Sequence, residues 1–178
     1  MAELTAALLI ACVLHHLLLS PDAEQRSAQL GSLGIGSALL LTLLVPINAG
    51  LASALEAINA RSQYLLLAVI TLSVCAYAIS YGLKRWRRLA EPLLFERLLL
   101  SAIVALAVTE QAQSLSQSLW LGLLSGTGLW LLLQLMHDWR VRLEPNALPA
   151  ALRGAPSLLI SAGLIGLALL GLNGMGAV

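Results

Sequence analysis

Charged residues make up only 11% of this 178-residue chain, and aromatic residues only 4%. A soluble domain carries about 25% charged residues. A soluble fold of this size also exposes much of its surface and has nowhere to hide so much leucine. An ordinary soluble enzyme is therefore excluded. Ten Lys and Arg stand against nine Asp and Glu, and a net charge of +1 gives no electrostatic footprint for nucleic acid. Composition likewise excludes a disulfide scaffold, and the two cysteines, Cys12 and Cys75, both lie in apolar runs and carry no reading of the redox compartment. A secretory signal begins with a basic segment, but the first basic residue here is Arg26, beyond the first apolar run. That run is expected to be retained.

Hydrophobic residues supply 59% of the chain. A hydrocarbon core of about 30 Å takes roughly 20 helical residues to cross. Six runs qualify or come close, at approximately 2–19, 32–55, 64–83, 98–112, 116–136 and 156–174. Leu39-Leu40-Leu41 and Leu131-Leu132-Leu133 do not alternate as strands of a membrane barrel must. The expected fold is all-α and integral to the membrane, with six transmembrane helices in a single domain, 1–178. The fourth run is short and turns polar at Thr109, Glu110, Gln111 and Gln113, which predicts a broken or partial helix packed inside protein. Pro46 is expected to kink the second run, because it lacks an N–H and crowds the preceding turn.

The basic residues orient the chain. With six spans, the first, third and fifth connections share a side, and they hold nine of the ten Lys and Arg. Arg97 is counted among the residues of the third connection, and Arg61 is alone on the other side. Positive-inside then places both termini outside the cytoplasm. Tyr64 and Trp120 fit one interfacial belt, Trp86 and Trp139 the other. Gly122 and Gly126, like Ala162 and Gly166, are four residues apart, a spacing that lets helix backbones approach closely.

Few residues offer chemistry. Adjacent His15 and His16 point about 100° apart on a helix and cannot share a ligand face, so a packing or interfacial role is expected for them and for His137. Cys12 and Cys75 read as small buried hydrophobes. Glu110 is the acidic residue nearest to lying inside the membrane, where an ionisable group marks an ion ligand or proton relay. The run Lys84-Arg85-Trp86-Arg87-Arg88 fixes topology or docks anionic lipid or an acidic partner. Neither a glycine-rich phosphate loop nor a nucleophile–base motif is visible.

One segment is distinctive. Pro149-Ala150-Ala151-Leu152-Arg153-Gly154-Ala155-Pro156 runs into Ile160-Ser161-Ala162-Gly163-Leu164-Ile165-Gly166-Leu167-Ala168. It resembles the last connection and helix of the RnfA/NqrE family. Leu33-Gly34-Ile35-Gly36 is similar to that family's glycine-bearing start of helix two. Leu41-Thr42-Leu43-Leu44-Val45-Pro46-Ile47-Asn48 is similar to its Leu-Thr-Ile-x-Val-Pro-Val-Asn. Leu121-Gly122-Leu123-Leu124-Ser125-Gly126-Thr127-Gly128-Leu129-Trp130 resembles its Tyr-Gly-Phe-Gly-x-Gly-x-Gly-Trp. The length agrees with RnfA rather than with its larger relative RnfE.

The resemblance implies an RnfA-like subunit of the bacterial inner membrane, with both termini periplasmic. Such a subunit pairs with an inverted RnfE-like subunit in an Rnf complex. That complex moves electrons between ferredoxin and NAD through flavins and iron–sulfur centres, coupled to Na⁺ or H⁺ movement. The family holds an intramembrane [2Fe–2S] cluster on cysteines of a half-helix after helix one and of helix four, with two more from the partner. This chain departs there. His15-His16 stands at the family's Asn-Asn pair, and Leu19-Ser20 runs directly to Pro21. Ala107-Val108-Thr109-Glu110 stands where the second cysteine is expected. Helices one and four are therefore expected to be short or broken. No cluster ligand is assigned to Cys12 or Cys75, and the chain alone is expected to bind no cofactor. The alternatives are a repurposed stand-alone transporter or channel needing Glu110 for flux, and a redox subunit with an unusual cofactor at Cys12, Cys75 or the histidines.

Overall fold

The computed structural model describes residues 2–19, 23–87, 94–112, 114–143 and 155–175. Six α-helices follow one another: α1 (Ala2–Leu17), α2 (Ala23–Ala57), α3 (Tyr64–Arg87), α4 (Leu94–Thr109), α5 (Leu115–Leu143) and α6 (Ala155–Met175). A 3-10 turn, Arg61–Gln63, leads into α3. No strand occurs among the described residues. Ser20-Pro21, Arg88, Arg153 and the 149–154 stretch of the resemblance lie outside them, as does the side chain of Trp86.

Each apolar run forms a helix, but the lengths are uneven. α1 and α4 have 16 residues each, about 24 Å at 1.5 Å per residue, which is short of a hydrocarbon core. Three stretches are long and apolar enough to cross a membrane: Gln29–Ala57, Arg61–Arg85 and Leu115–Arg142. The exposed Trp120 and Trp139 stand 19 residues apart on α5, about 28 Å along its axis, which matches the spacing of two interfacial belts.

Polarity runs inside out. Leu65, Leu66, Ile70, Val74, Tyr77 and Tyr81 of α3 are all more than half exposed. A contiguous apolar face of that kind needs lipid or protein against it. The interior meanwhile holds His15, Ser37, Asn48, Ser101 and Ser125 with no exposure. Ser37 and Ser125 satisfy themselves locally, as in Ser37 Oγ donating to the Gly34 carbonyl at 3.0 Å. The whole is compatible with a helical membrane protein.

The helix ends follow from local chemistry. α2 stops in a Schellman motif: Ala60 N–H donates to Leu55 O at 2.9 Å and Asn59 N–H to Glu56 O at 3.1 Å. Asn59 takes the left-handed position (φ 56°) that asparagine tolerates better than most residues. α5 begins at Ser114, whose Oγ accepts the Gln117 N–H at 3.2 Å as an N-cap.

The contacts fix the directions of the helices. Along the α2–α5 seam, Gly34 faces Trp130, Gly126 faces Ala38 and Thr42, and Gly122 faces Leu41 and Val45, so the two helices are antiparallel. α1 and α5 are parallel, with Leu8 at Gly128 and Cys12 at Met136. α1 and α4 are antiparallel, with His15 at Ser101 and Leu18 at Arg97. The six helices therefore alternate, and α1–α3 is inverted relative to α4–α6. The partners are exchanged between halves. α1 packs on α5 and α6, and α4 packs on α2 and α3. Short α1 meets short α4.

A repeat accompanies this symmetry. Leu33, Gly34, Ser37 and Leu41 of α2 recur 88 residues later as Leu121, Gly122, Ser125 and Leu129 of α5. The local bonding recurs too, since Ser125 Oγ donates to the Gly122 carbonyl at 3.1 Å just as Ser37 does to Gly34. Ala38 and Gly126 are each other's equivalents and sit against each other, at the crossing point.

The small residues let the seam close. A Cβ on Gly126 would lie 2.6 Å from the Ala38 carbonyl oxygen and 2.8 Å from Thr42 Oγ1. On Gly122 it would lie 3.2 Å from Leu41 O and 3.3 Å from Thr42 O. Pro46 sits inside α2, which continues through it. Proline cannot donate to the carbonyl four residues back, so Thr42 O loses its helical partner and instead faces the Gly122 backbone. The second small pair differs: Gly166 meets only the end of the Leu9 side chain, at 3.3 Å.

Candidate functional site

Two polar regions lie at opposite ends of α4. The first is the meeting of α1 and α4, near the last turn of α1. His15 Nδ1 is 2.6 Å from the Ala11 carbonyl, and Nε2 is 3.0 Å from Ser101 Oγ and 3.1 Å from the Arg97 carbonyl. A neutral ring satisfies two partners at once, with Nδ1–H donating to Ala11 and Nε2 accepting the Ser101 hydroxyl. A protonated ring donates to both carbonyls, with the serine hydroxyl turned away.

Arg97 locks this junction. Only 5% exposed, it donates from one guanidinium nitrogen to Gln29 Oε1 at 3.1 Å and from the other to the Leu18 carbonyl at 3.0 Å. The sequence reading places Arg97 among the connection residues. The structure corrects this: Arg97 belongs to the first turn of α4 and is buried, because its fork satisfies a carbonyl left open at the end of α1. The sequence reading also finds no nucleophile–base arrangement, yet the fold sets Ser101 and His15 at hydrogen-bond distance from 86 residues apart. Both are fully buried, so no substrate reaches the pair in this conformation.

His16 points elsewhere, as the 100° rule requires. Its Nδ1–H donates to the Cys12 carbonyl at 3.1 Å, and its Nε2 is buried without a partner. Cys12 Sγ, with no exposure, lies 3.4 Å from Met136 Sδ on α5. Cys75 is on α3, which α1 does not touch among the described residues, so the two thiols share no site. Among the described residues, no three of His, Cys, Asp and Glu gather to hold a metal.

The second region is a cleft of about 250 Å³ where α2, α3, α4 and α5 end. Glu110 lines it, in the turn just past the end of α4, and is exposed. Glu56, Arg61, Tyr64, Thr109 and Ser114 share the walls. Arg61 pairs with Glu56, both largely exposed. Near this end, Asn48 has no exposure: its Oδ1 lies 3.1 Å from Thr71 Oγ1, and its Nδ2 has no partner. The cleft and the His15 junction are joined by one buried stripe of α4, Arg97, Ser101, Ala105 and Thr109, spaced four residues apart.

No known family model matches the chain, and no curated protein is significantly similar to it.

Proposed function

We propose that this chain is an RnfA-like, multi-pass subunit of a bacterial inner-membrane complex. It packs against an inverted RnfE-like subunit in an Rnf-type ferredoxin:NAD oxidoreductase that couples electron flow to ion movement. All six helices are embedded in the membrane, and both termini face the periplasm. The supporting observation is that α1 and α4, the short members of two inverted halves, meet each other. The resembled family presents its cluster ligands from a half-helix just after helix one and from helix four. Here that meeting holds His15, Ser101 and Arg97 rather than thiolates, so the proposed role is to build the membrane core and support ion coupling, with electrons passing elsewhere. The nine basic residues on one side of the sequence support the orientation.

The test is mass spectrometry of what copurifies with the tagged chain in mild detergent, with iron counted on the same sample. Rnf-like subunits should copurify, and the iron content should lack the family's membrane cluster. Isolation without flavin and iron–sulfur subunits would sink the reading.

A second reading is a stand-alone transporter or channel. Inverted repeats with short central helices are a transporter architecture, and the Glu110 cleft gives it an open vestibule. It predicts isolation without redox partners and ion flux in reconstituted vesicles that falls in Glu110→Gln.

A further inference from the structure

α5 carries an open amide on its outer surface. Its stretch Leu115–Arg142 is long and apolar enough to cross a membrane. Gln134 is exposed on that stretch and has no hydrogen-bond partner among the described residues. It lies five residues inward of Trp139, about 7.5 Å, and 14 residues inward of Trp120, about 21 Å. Helical side chains lean toward the N-terminus, so this one leans away from the nearer belt and deeper into hydrocarbon. The exposed hydroxyls of the spans do not share its difficulty. Ser73 Oγ donates to the Val69 carbonyl at 2.9 Å, and Thr127 Oγ1 to the Leu123 carbonyl at 2.8 Å. Gln134 has two N–H donors and a carbonyl to satisfy, and leaving them open against lipid is costly.

Gln134 also stands in an ordered row. Trp120, Leu124, Thr127, Leu131 and Gln134 are all exposed and are four, three, four and three residues apart. That is the a/d spacing of a heptad seam, by which two helices pack side by side at about 20°. In a parallel two-stranded seam, each a or d residue faces its own counterpart. Two copies of this chain inserted the same way have α5 parallel and Gln134 at equal depth. An amide is self-complementary, since each carbonyl accepts an N–H of the other. A helix of unrelated sequence needs an amide or hydroxyl of its own at that depth. Thr127, two turns earlier, is short enough to keep the seam close. Asp138, one turn later, lies level with Trp139, where water and salt screen it from its counterpart.

We propose that this outward row of α5 is the interface between two copies of the chain, packed parallel about a twofold axis with their Gln134 amides paired. The proposal needs α5 to span the membrane but neither of the two assemblies above.

Disulfide crosslinking of the full chain in membranes tests this, with Cys12 and Cys75 replaced by alanine. Leu131→Cys, exposed one turn before Gln134, should give a homodimer on oxidation, whereas Leu167→Cys, exposed on α6, should not. Association of the full chain in detergent, followed by energy transfer between labelled copies, reads the amide itself. Gln134→Leu should weaken it about tenfold, the scale of an interhelical hydrogen bond in a membrane. Gln134→Asn, which keeps an amide, should retain more of it. An unchanged circular dichroism spectrum confirms that each variant folds. Gln134→Leu associating as tightly as the parent overturns the proposal. So does Leu131→Cys that crosslinks to a different polypeptide, or that gives no more homodimer than Leu167→Cys.

Discussion

Gly126→Ala adds one methyl group at the point where α2 and α5 cross. The new Cβ would stand 2.6 Å from the Ala38 carbonyl oxygen and 2.8 Å from Thr42 Oγ1. Ordinary contact begins near 3.4 Å, so the helices must part by about 0.6 to 0.8 Å at the crossing. A gap of that size forfeits a quarter to a half of each dispersion contact across it. Leu33, Leu41, Leu129 and Leu133, all at most 1% exposed, belong to the two helices being parted. The obstacle is backbone rather than a flexible side chain, so the strain falls at the upper end of overpacking, about 3 kcal/mol. Alanine's better helix propensity offsets about 1 kcal/mol. The net loss is about 2 kcal/mol, roughly a thirtyfold shift in the folding equilibrium. Gly163→Ala is the control. Nothing lies within 4 Å of its added Cβ, so propensity alone acts and the variant gains about 1 kcal/mol. Reversible unfolding in mixed micelles, followed by circular dichroism, reads both values. Gly126→Ala as stable as the parent, or Gly163→Ala equally damaged, would mean that close backbone approach does not hold the α2–α5 crossing together.

Other residues give independent checks. Arg97→Met removes the donors to the Leu18 carbonyl and Gln29 Oε1 and should destabilise by about 3 kcal/mol in the same unfolding assay, with Arg97→Lys restoring only part because an ammonium cannot fork. Ser101→Ala removes the hydroxyl from His15 Nε2 and should cost about 1 kcal/mol; a neutral result would mean the pair contributes nothing to the α1–α4 junction. A soluble maleimide should label half-buried Cys75 before fully buried Cys12 in the folded protein, and denaturation should erase the order. Glu110→Gln, at an exposed turn, should shift stability by no more than about 0.5 kcal/mol while lowering ion flux or coupling; unchanged flux would remove Glu110 from the proposal.

Hydrophobic runs made the helices legible because a lipid-facing helix needs no amphipathic pattern, only length. The ends were less legible. α2 extends back to Ala23 through polar residues that a hydropathy reading leaves out. Its stop at Asn59 depends on backbone bonds rather than on composition. Arg97 reads as one more loop cation, since nothing local says that the end of α1 will offer it a carbonyl. His15 reads as a packing residue and Ser101 draws no notice, and only the meeting of the short helices α1 and α4 joins them. The repeat was present throughout in Leu33, Gly34 and Ser37 against Leu121, Gly122 and Ser125, but six matched residues among many leucines gain meaning only when both serines make the same bond.

The exchange also sets an order of assembly. α1 is made before the other five helices, yet among the described residues it touches neither α2 nor α3. Its contacts are with α4, α5 and α6, so its longest-range partner is the last of these six helices to be made. Until α4 arrives, α1 has only lipid or a chaperone to shield it, and its packing is complete only with α6, so it closes the molecule rather than starting it. A chain truncated before α6 would therefore keep α1 on α4 and α5 but leave its α6-facing side uncovered.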